Sequence, residues 1–276
     1  MRDHPAFTFI QHDVALPLPA GLEPIQVFHL ASPASVPDYL SRPIETLRTN
    51  SIGTMNALEL ARAAGARFLF ASTSEIYGDP LEHPQAETYW GNTNSVGPRA
   101  CYDEGKRFGE AATSSYARTY DIDARIVRIF NTYGPHSRPD DGRIVPNFVV
   151  QALRQEPITI YGDGSQTRSF CYVTDLVRGM RAAMDRPNTR DEVFNLGNPD
   201  EYTVSEFAGV ISSLLGSEAG VVHRPLPVDD PVRRRPDISK ARAILGWQPE
   251  VSLPEGIERT AEWFREILGI SAGNVA

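Results

Sequence analysis

Short runs of β-forming residues alternate with helical segments through the first two-thirds of this chain, and that alternation restricts its fold more than any other feature. Strands separated by helices pack as a parallel sheet with the helices on its faces. Phe7-Thr8-Phe9-Ile10 reads as a first short strand and Ile25-Gln26-Val27-Phe28-His29-Leu30 as a second. Arg67-Phe68-Leu69-Phe70-Ala71 reads as a third, and Ala124 to Phe130 as a fourth. The segment from about Ile44 to Ala64 has Met55, Leu58 and Ala61 on one side and Gly65 as a stop, which predicts a helix. A longer helix is expected from about Tyr102 to Tyr120.

After about residue 145 the texture changes. Helices and short strands mix with turns such as Tyr161-Gly162-Asp163-Gly164 and Leu196-Gly197-Asn198-Pro199. Near the end, Ile257, Ala261, Phe264 and Leu268 recur at helical spacing. The expected architecture is therefore α/β, a doubly wound parallel sheet followed by a smaller α/β lobe. Residues 1–145, with segments from about 170–200, form the sheet domain, and 146–276 mainly the second lobe. A ligand would sit in the cleft between the two.

Composition narrows the function. The net charge of −8 argues against a general nucleic-acid surface but leaves room for local basic pockets that hold an anion. No stretch approaches the roughly 18 to 20 apolar residues of a membrane span, and the first residues lack a signal-peptide pattern. The two cysteines, Cys101 and Cys171, make no disulfide framework and have no zinc-type spacing. A cytoplasmic protein without a metal site is expected.

The strongest chemical signal is Tyr102-Asp103-Glu104-Gly105-Lys106. Residues four apart share a helix face, so Tyr102 and Lys106 point the same way. A nearby ammonium favours a phenolate, and such a pair can exchange protons with an alcohol or ketone. Alone, this spacing is common on solvated helices. Context adds to it, because Thr73, Ser74 and Glu75 lie just past the carboxyl end of a predicted strand, where parallel sheets place ligand-binding groups.

These residues and several longer runs resemble the extended short-chain dehydrogenase/reductase family. The runs include Phe28-His29-Leu30-Ala31-Ser32, Thr49-Asn50-Ser51-Ile52-Gly53-Thr54 and Ala71-Ser72-Thr73-Ser74-Glu75-Ile76-Tyr77-Gly78. Gly97-Pro98-Arg99-Ala100-Cys101-Tyr102-Asp103-Glu104-Gly105-Lys106-Arg107 is similar to the UDP-glucuronate decarboxylase (UDP-xylose synthase) branch in particular. Arg128 to Pro135, and Asp230-Pro231 with Arg234-Arg235-Pro236-Asp237-Ile238, belong with it. The resemblance implies a Rossmann-like sheet, NAD as cofactor, a UDP-sugar substrate and a homodimer built on the helices near 44–64 and 102–120. It implies oxidation at C4 of UDP-glucuronate, loss of CO2 from the β-keto acid and reduction to UDP-xylose. In that scheme Tyr102 and Lys106 move the hydroxyl proton, Thr73 bonds the C4 oxygen, Glu75 handles a proton near C5 and Arg234 positions the carboxylate. By the same resemblance Asp13, Val14, Leu30, Ser32, Thr49, Ala71, Tyr102, Lys106, Thr132 and Arg143 contact the cofactor. Arg48, Asn131, Tyr161, Gln166, Arg168 and Arg234 contact the nucleotide sugar.

Related branches fit less well. Glucose-type 4,6-dehydratases place an Asp-Glu pair where this chain has Ser74-Glu75, and 4-epimerases normally lack the glutamate. One departure touches the whole family. Its members open with a strand, a Gly-x-x-Gly-x-x-Gly turn and a helix whose N-terminus holds the pyrophosphate, and no such run occurs here. The chain is N-terminally truncated relative to that pattern, so Phe7–Ile10 matches the family's third strand. The segment from Ile25 is then expected as an exposed apolar edge. A fragment or a longer gene is the favoured explanation; a separate polypeptide supplying the piece, or a homologue that binds or dimerises without catalysis, are the others. Weak NAD binding by this chain alone is expected.

Overall fold

A computed structural model describes residues 4–227 and 231–271. Its centre is a four-stranded, wholly parallel sheet. In spatial order it runs β1 (Gln26–His29), β2 (Arg67–Thr73), β3 (Ala124–Ile129) and then Val193–Leu196. Alternate residues of β2 serve opposite faces, as the period of a strand requires. Phe68 and Phe70 join Leu58, Ala61, Ala112, Tyr116 and Ile122 in one core. Leu69 joins Val127, Met180, Met184, Phe194, Leu196 and Trp247 in another. Every residue of β2 after Arg67 is buried, which explains its unbroken apolar run.

Between β1 and β2 lie α1 (Val36–Ser41), α2 (Pro43–Arg48) and α3 (Thr54–Ala64). The expected continuous helix from Ile44 to Ala64 is interrupted by a π-type turn at Thr49–Gly53. Two hydroxyls bond back four residues there, Ser51 Oγ to the Leu47 carbonyl and Thr54 Oγ1 to the Asn50 carbonyl, each at 2.6 Å. Such back-bonding competes with the regular ladder, and π-turns often sit at functional sites. Gly65 closes α3 in the left-handed conformation, as expected.

Helix α4 (Ala100–Tyr120) crosses the face of β2, and α6 (Val173–Asp185) and α8 (Ser239–Leu245) cover the other face. Between α4 and α6 the chain forms β4 (Thr132–Tyr133), α5 (Ile144–Leu153), β5 (Ile158–Tyr161), β6 (Thr167–Ser169) and β7 (Cys171–Tyr172). After α6 come β8 (the Val193–Leu196 strand), β9 (Glu201–Thr203), α7 (Val204–Leu215) and β10 (Val221–Arg224), and α9 (Leu253–Leu268) follows α8. A separate core joins α5, β5, α7 and α9 through Phe148, Val149, Ile158, Phe207, Ile211, Ile257, Ala261 and Phe264.

One strand expectation needs correction. Phe7–Ile10 forms no strand, and Phe9 is 68% exposed. Its physical reason is the lack of a partner: β1 hydrogen-bonds only to β2 among the described strands, and nothing pairs with its outer edge. That edge is apolar, with Ile25 82% and Leu30 55% exposed, as the sequence led us to expect.

Within β1, His29 is buried between the rings of Phe68 and Phe70, with Nε2 3.0 Å from Thr54 Oγ1. Burial, with the nearby Lys106, pulls its pKa down to about 4. Below the ordinary value of 6.5 the unfolded chain takes up a proton that the folded chain refuses until about pH 4, so stability falls as pH drops through that window. Urea unfolding of His29→Gln should show roughly 3 kcal/mol less loss of stability between pH 7 and pH 4 than the parent. Identical pH slopes would contradict the assignment.

Candidate active site

The C-terminal end of β2 and the first turns of α4 bring the central residues together. Glycine makes the approach possible. A Cβ at Gly109 would lie 2.1 Å from the Phe70 ring, and one at Gly105 would lie 3.0 Å from Asn50. With α4 pressed this close, Lys106 buries its stem and donates from Nζ to the Ala71 carbonyl at 2.8 Å. Tyr102, one turn earlier, is buried beside it and is hydrogen-bonded by Thr73 from the end of β2. The Tyr39 ring from α1 stacks on Tyr102 at 5.0 Å with a 7° tilt.

Beyond Thr73 the chain turns through Ser74–Tyr77, with Thr73 Oγ1 accepting from the Glu75 N–H at 3.2 Å. Each oxygen of Glu75 meets a different guanidinium. Arg234 takes Oε1, and Arg99 donates to Oε2 at 2.7 Å. Both arginines are buried, and Arg168 contributes to the same field. Burial alone would raise the Glu75 pKa, but the two guanidinia overcome it and hold the carboxyl at about 2.

The neighbouring groups behave oppositely. Burial pushes Asp103 up to about 7, with the Glu75 charge adding to the effect. Desolvation pulls Lys106 down to about 7. Burial also raises the Tyr102 phenol above its ordinary value, while the Thr73 hydrogen bond and Arg143 act against the rise. This alters the simple picture of an ammonium depressing the phenol. With both groups out of water, desolvation of the phenolate outweighs the field around it.

A second buried network braces α4 one turn further on. Arg128 grips Glu110 with two bonds of 2.9 and 2.8 Å, and Ser72 Oγ donates to Glu110 at 2.5 Å. Arg128 also donates to the Tyr77 hydroxyl at 2.9 Å, which donates to Asn195 at 2.8 Å.

Of the residues singled out from sequence, Thr73, Glu75, Tyr102, Lys106 and Arg234 converge here with Ala71. Arg143 pairs with Asp141 at 2.5 Å and acts on Tyr102 through its charge. Gln166 is buried and donates to the Tyr161 carbonyl at 2.6 Å, while the Tyr161 ring is half exposed. Thr132 bonds the Phe130 carbonyl, and the Asn131 carbonyl accepts from Cys171. Asp13 is exposed and caps a local turn through Ala15, and Val14 packs against Gly53 in the π-turn. Ser32 bonds the neighbouring Pro33 carbonyl, Leu30 and Arg48 are exposed, and Thr49 is half-buried. Asp230 lies outside the described residues.

Sequence reasoning passed over Tyr39, Arg99 and Asp103 as functional groups. Arg99 and Asp103 stand inside the eleven-residue run, where they were visible as types but not as partners of Glu75. Tyr39 carried no signal, because a lone tyrosine in a short helix reads as core. The Tyr39 hydroxyl, the Asp103 Oδ1 and both polar atoms of the Asn50 side chain are buried with no hydrogen-bond partner among the described residues.

Glu75→Gln would remove the carboxylate that the buried Arg99 and Arg234 share. Removing one member of a buried ion pair costs on the order of 3 kcal/mol, so urea unfolding should show a loss of that size. A loss below about 1 kcal/mol would mean that the guanidinia are compensated elsewhere.

Residues 13–197 match the NAD dependent epimerase/dehydratase family. UDP-glucuronic acid decarboxylase 2 of Arabidopsis thaliana is 52% identical over 263 residues, covering 95% of this chain and 58% of the relative. Among solved structures, UDP-glucose 4-epimerase from Thermotoga maritima, with UDP-glucose, superposes with a TM-score of 0.82 at 34% identity, covering 89% of this chain and 78% of the other. A UDP-glucuronic acid 4-epimerase from Bacillus cereus, in complex with UDP-glucuronic acid and NAD, gives 0.80 at 28% identity, covering 88% and 76%. The chain thus spans a little under three-fifths of the length of the Arabidopsis relative. With the family pattern covering the sheet, the Thr73–Glu75 turn and the Tyr102/Lys106 helix alike, the chain belongs to the NAD dependent epimerase/dehydratase family.

Proposed function

We propose that this protein carries out NAD-dependent decarboxylation of UDP-glucuronate to UDP-xylose through a 4-keto sugar. One observation carries the reading: a buried arginine–glutamate pair, Arg234 with Glu75, stands beside a Tyr102/Thr73 pair suited to a carbinol. Identity of 52% to a UDP-glucuronic acid decarboxylase supports the branch, and the Bacillus cereus neighbour in complex with NAD supports the cofactor. The residues fit such a group. Among the described residues, Tyr39, Asn50 and Asp103 keep buried polar atoms without partners on the elements that surround Tyr102 and Lys106, as a site built for a polar ligand would.

Bound NAD would supply acceptance and return of the C4 hydride. Tyr102 takes the C4 hydroxyl proton, and Thr73 holds that oxygen as it becomes a carbonyl. The ketone lies β to the carboxylate, so the bond to the carboxyl carbon breaks with its electron pair drawn toward the C4 oxygen, and CO2 leaves. Arg234 faces that carboxylate and orients it. Glu75, ionised between its two guanidinia, assists proton handling at C5 and keeps Arg234 in place. Tyr102 returns its proton to the C4 oxygen as the alcohol reforms.

The remaining residues fill a supporting frame. Asp13, Val14, Leu30, Ser32, Thr49, Ala71, Thr132 and Arg143 border the cofactor. Arg48, Asn131, Tyr161, Gln166 and Arg168 border the nucleotide sugar, where guanidinium groups suit a diphosphate. Residues 1–145, with parts of 170–200, make the cofactor lobe, and 146–276 mainly the sugar lobe. A homodimer through the helices near 44–64 and 102–120 is part of the reading; exposed Ile44, Leu47 and Phe108 lie on these helices. Sedimentation as a monomer would remove that element. No described helix is long and apolar enough to cross a membrane, and we place the protein in the cytoplasm.

Incubation with UDP-glucuronate and NAD should release CO2 and form a UDP-pentose. Tyr102→Phe should lower kcat by about a hundredfold or more, the usual contribution of a positioned acid–base group. Formation of UDP-galacturonate or of a 4-keto-6-deoxy sugar would reassign the branch.

A further inference from the structure

We infer that the Gln85 side chain is the positioning group that sets Arg234 against Glu75; the inference rests on the decarboxylase reading only for its consequence in catalysis. Arg234 has no helix or strand to hold it. It lies in an irregular run, residues 231–238, whose only sheet-like contacts among the described residues are isolated pairings of Arg233 with Thr167 and of Pro236 with Gln85. An arginine on such a run has many conformations available, yet this one is buried to 3% exposure, with one arm on Glu75 and the other 3.4 Å from the Gly78 carbonyl.

Two anchors, one on each side of Arg234, fix the run. On the first side the Val232 N–H donates to Asp79 Oδ1 at 3.0 Å, and its carbonyl accepts from the Thr167 N–H at 3.0 Å. On the second side Asn195 Nδ2 donates to the Asp237 carbonyl at 3.1 Å, and three further bonds pass through Gln85, which is fully buried. Its N–H donates to the Arg235 carbonyl at 2.9 Å, and its own carbonyl accepts from the Asp237 N–H at 2.8 Å. These two are main-chain bonds that any residue but proline could make. The side chain adds what is particular to glutamine. Its Nε2 donates to the Glu82 carbonyl at 2.7 Å, which turns Oε1 toward the Arg235 N–H, received at 2.9 Å. That N–H belongs to the peptide directly after Arg234.

Amide geometry explains why this side chain suits the place. It must accept from one main chain and donate to another at once while lying fully buried itself. Glu75 and Gln85 also belong to one stretch of chain, which leaves β2, passes Gly78 and Asp79, and returns to clasp the run that carries Arg234. Displacing a catalytic side chain by about 1 Å through a remote residue can cost as much as a hundredfold in rate, so the second anchor bears on chemistry as well as on folding.

Gln85→Met keeps the length and burial of the side chain but leaves the Arg235 N–H and the Glu82 carbonyl unpaired. The direct readout is the Glu75 carboxyl, followed by carbon NMR across pH. It is faced by Arg234, by Arg99 ahead of α4, by Arg168 on β6, by Tyr39 on α1, and by Tyr102 and Asp103 on α4. In Gln85→Met the proton affinity of Glu75 should rise about tenfold or more as Arg234 drifts from it. On UDP-glucuronate, kcat should fall about tenfold, while UDP affinity by calorimetry stays within about twofold of the parent. In an Arg234→Lys background the same Gln85 change should alter kcat by less than about twofold, because the group it places is gone.

Gln85→Glu, which still offers an acceptor to the Arg235 N–H, should lose less than Gln85→Met, and it carries the same measurements if Gln85→Met does not fold. An unchanged Glu75 titration in a folded variant overturns the inference. So do losses that multiply fully in the double variant, or a parallel loss of UDP affinity. If the parent releases no CO2 from UDP-glucuronate, the decarboxylase reading fails by itself, and the Glu75 titration still decides the part played by Gln85.

Discussion

Everything in the site depends on how closely α4 lies against β2. At Gly109 any side chain would drive into the Phe70 ring, and at Gly105 even a methyl group would crowd Asn50. Those two glycines let a helix approach a strand closely enough for a lysine to bond the strand's own carbonyl at Ala71. The same approach sets Tyr102 within reach of Thr73 and presses Tyr39 onto its ring. Glycine in a helix interior costs roughly 1 kcal/mol relative to alanine, and here that cost is offset by the packing it allows. The Ser72–Glu110–Arg128 network then locks the helix against sliding along the strand.

Closeness also governs the electrostatics. Groups that would be ordinary at the surface are driven apart in proton affinity by burial and by unequal pairing. Glu75, clasped by two guanidinia, stays ionised, while Asp103, with one oxygen unpartnered, is pushed toward neutrality. Lys106 sits close to its own midpoint at neutral pH. A site holding one committed anion, one carboxyl near its midpoint and one amine near its midpoint can move protons without large reorganisation of charge. Burial drives the Asp103 and Lys106 shifts, whereas Glu75 is held down against burial by Arg234 and Arg99.

The described fold divides the work between regular and irregular chain. Strands and helices fix Thr73, Tyr102 and Lys106 to within the tolerance of a packed core. Arg234 arrives on a run with no regular structure, held by paired hydrogen bonds on both sides. Loops carry functional residues in many folds because a rigid scaffold can aim them. Here the aiming is done by the buried Gln85 side chain and the exposed Asp79 carboxylate acting on main-chain groups.

Much of this was legible in the sequence. The β2 and β3 runs, the α4 span, the Gly65 stop and the Ile257–Phe264 stripe were all marked by periodicity, and each depends on local geometry that a short window contains. The Tyr102/Lys106 pair was legible for the same reason, since helical spacing alone places both on one face. Thr73 and Glu75 were legible as residues past a strand end. The failures have a common cause as well. Phe7–Ile10 has the composition of a strand, but a strand exists only through its neighbour, and composition says nothing of neighbours. The π-turn at Thr49–Gly53 was hidden because its neighbours, Val14 against Gly53 and Gly105 against Asn50, come from other segments of the chain. The pairing of Glu75 with Arg99 and Arg234, and the clasp of Gln85 on Arg235, join positions 24 and 150 or more residues apart. The sequence by itself determined the main strands and helices around the site, and which side chains could carry acid–base chemistry, because both follow from spacing along the chain. Tertiary structure alone decided which carboxylate stays charged and which arginine reaches it, because those depend on contacts and desolvation that exist only once distant segments are packed.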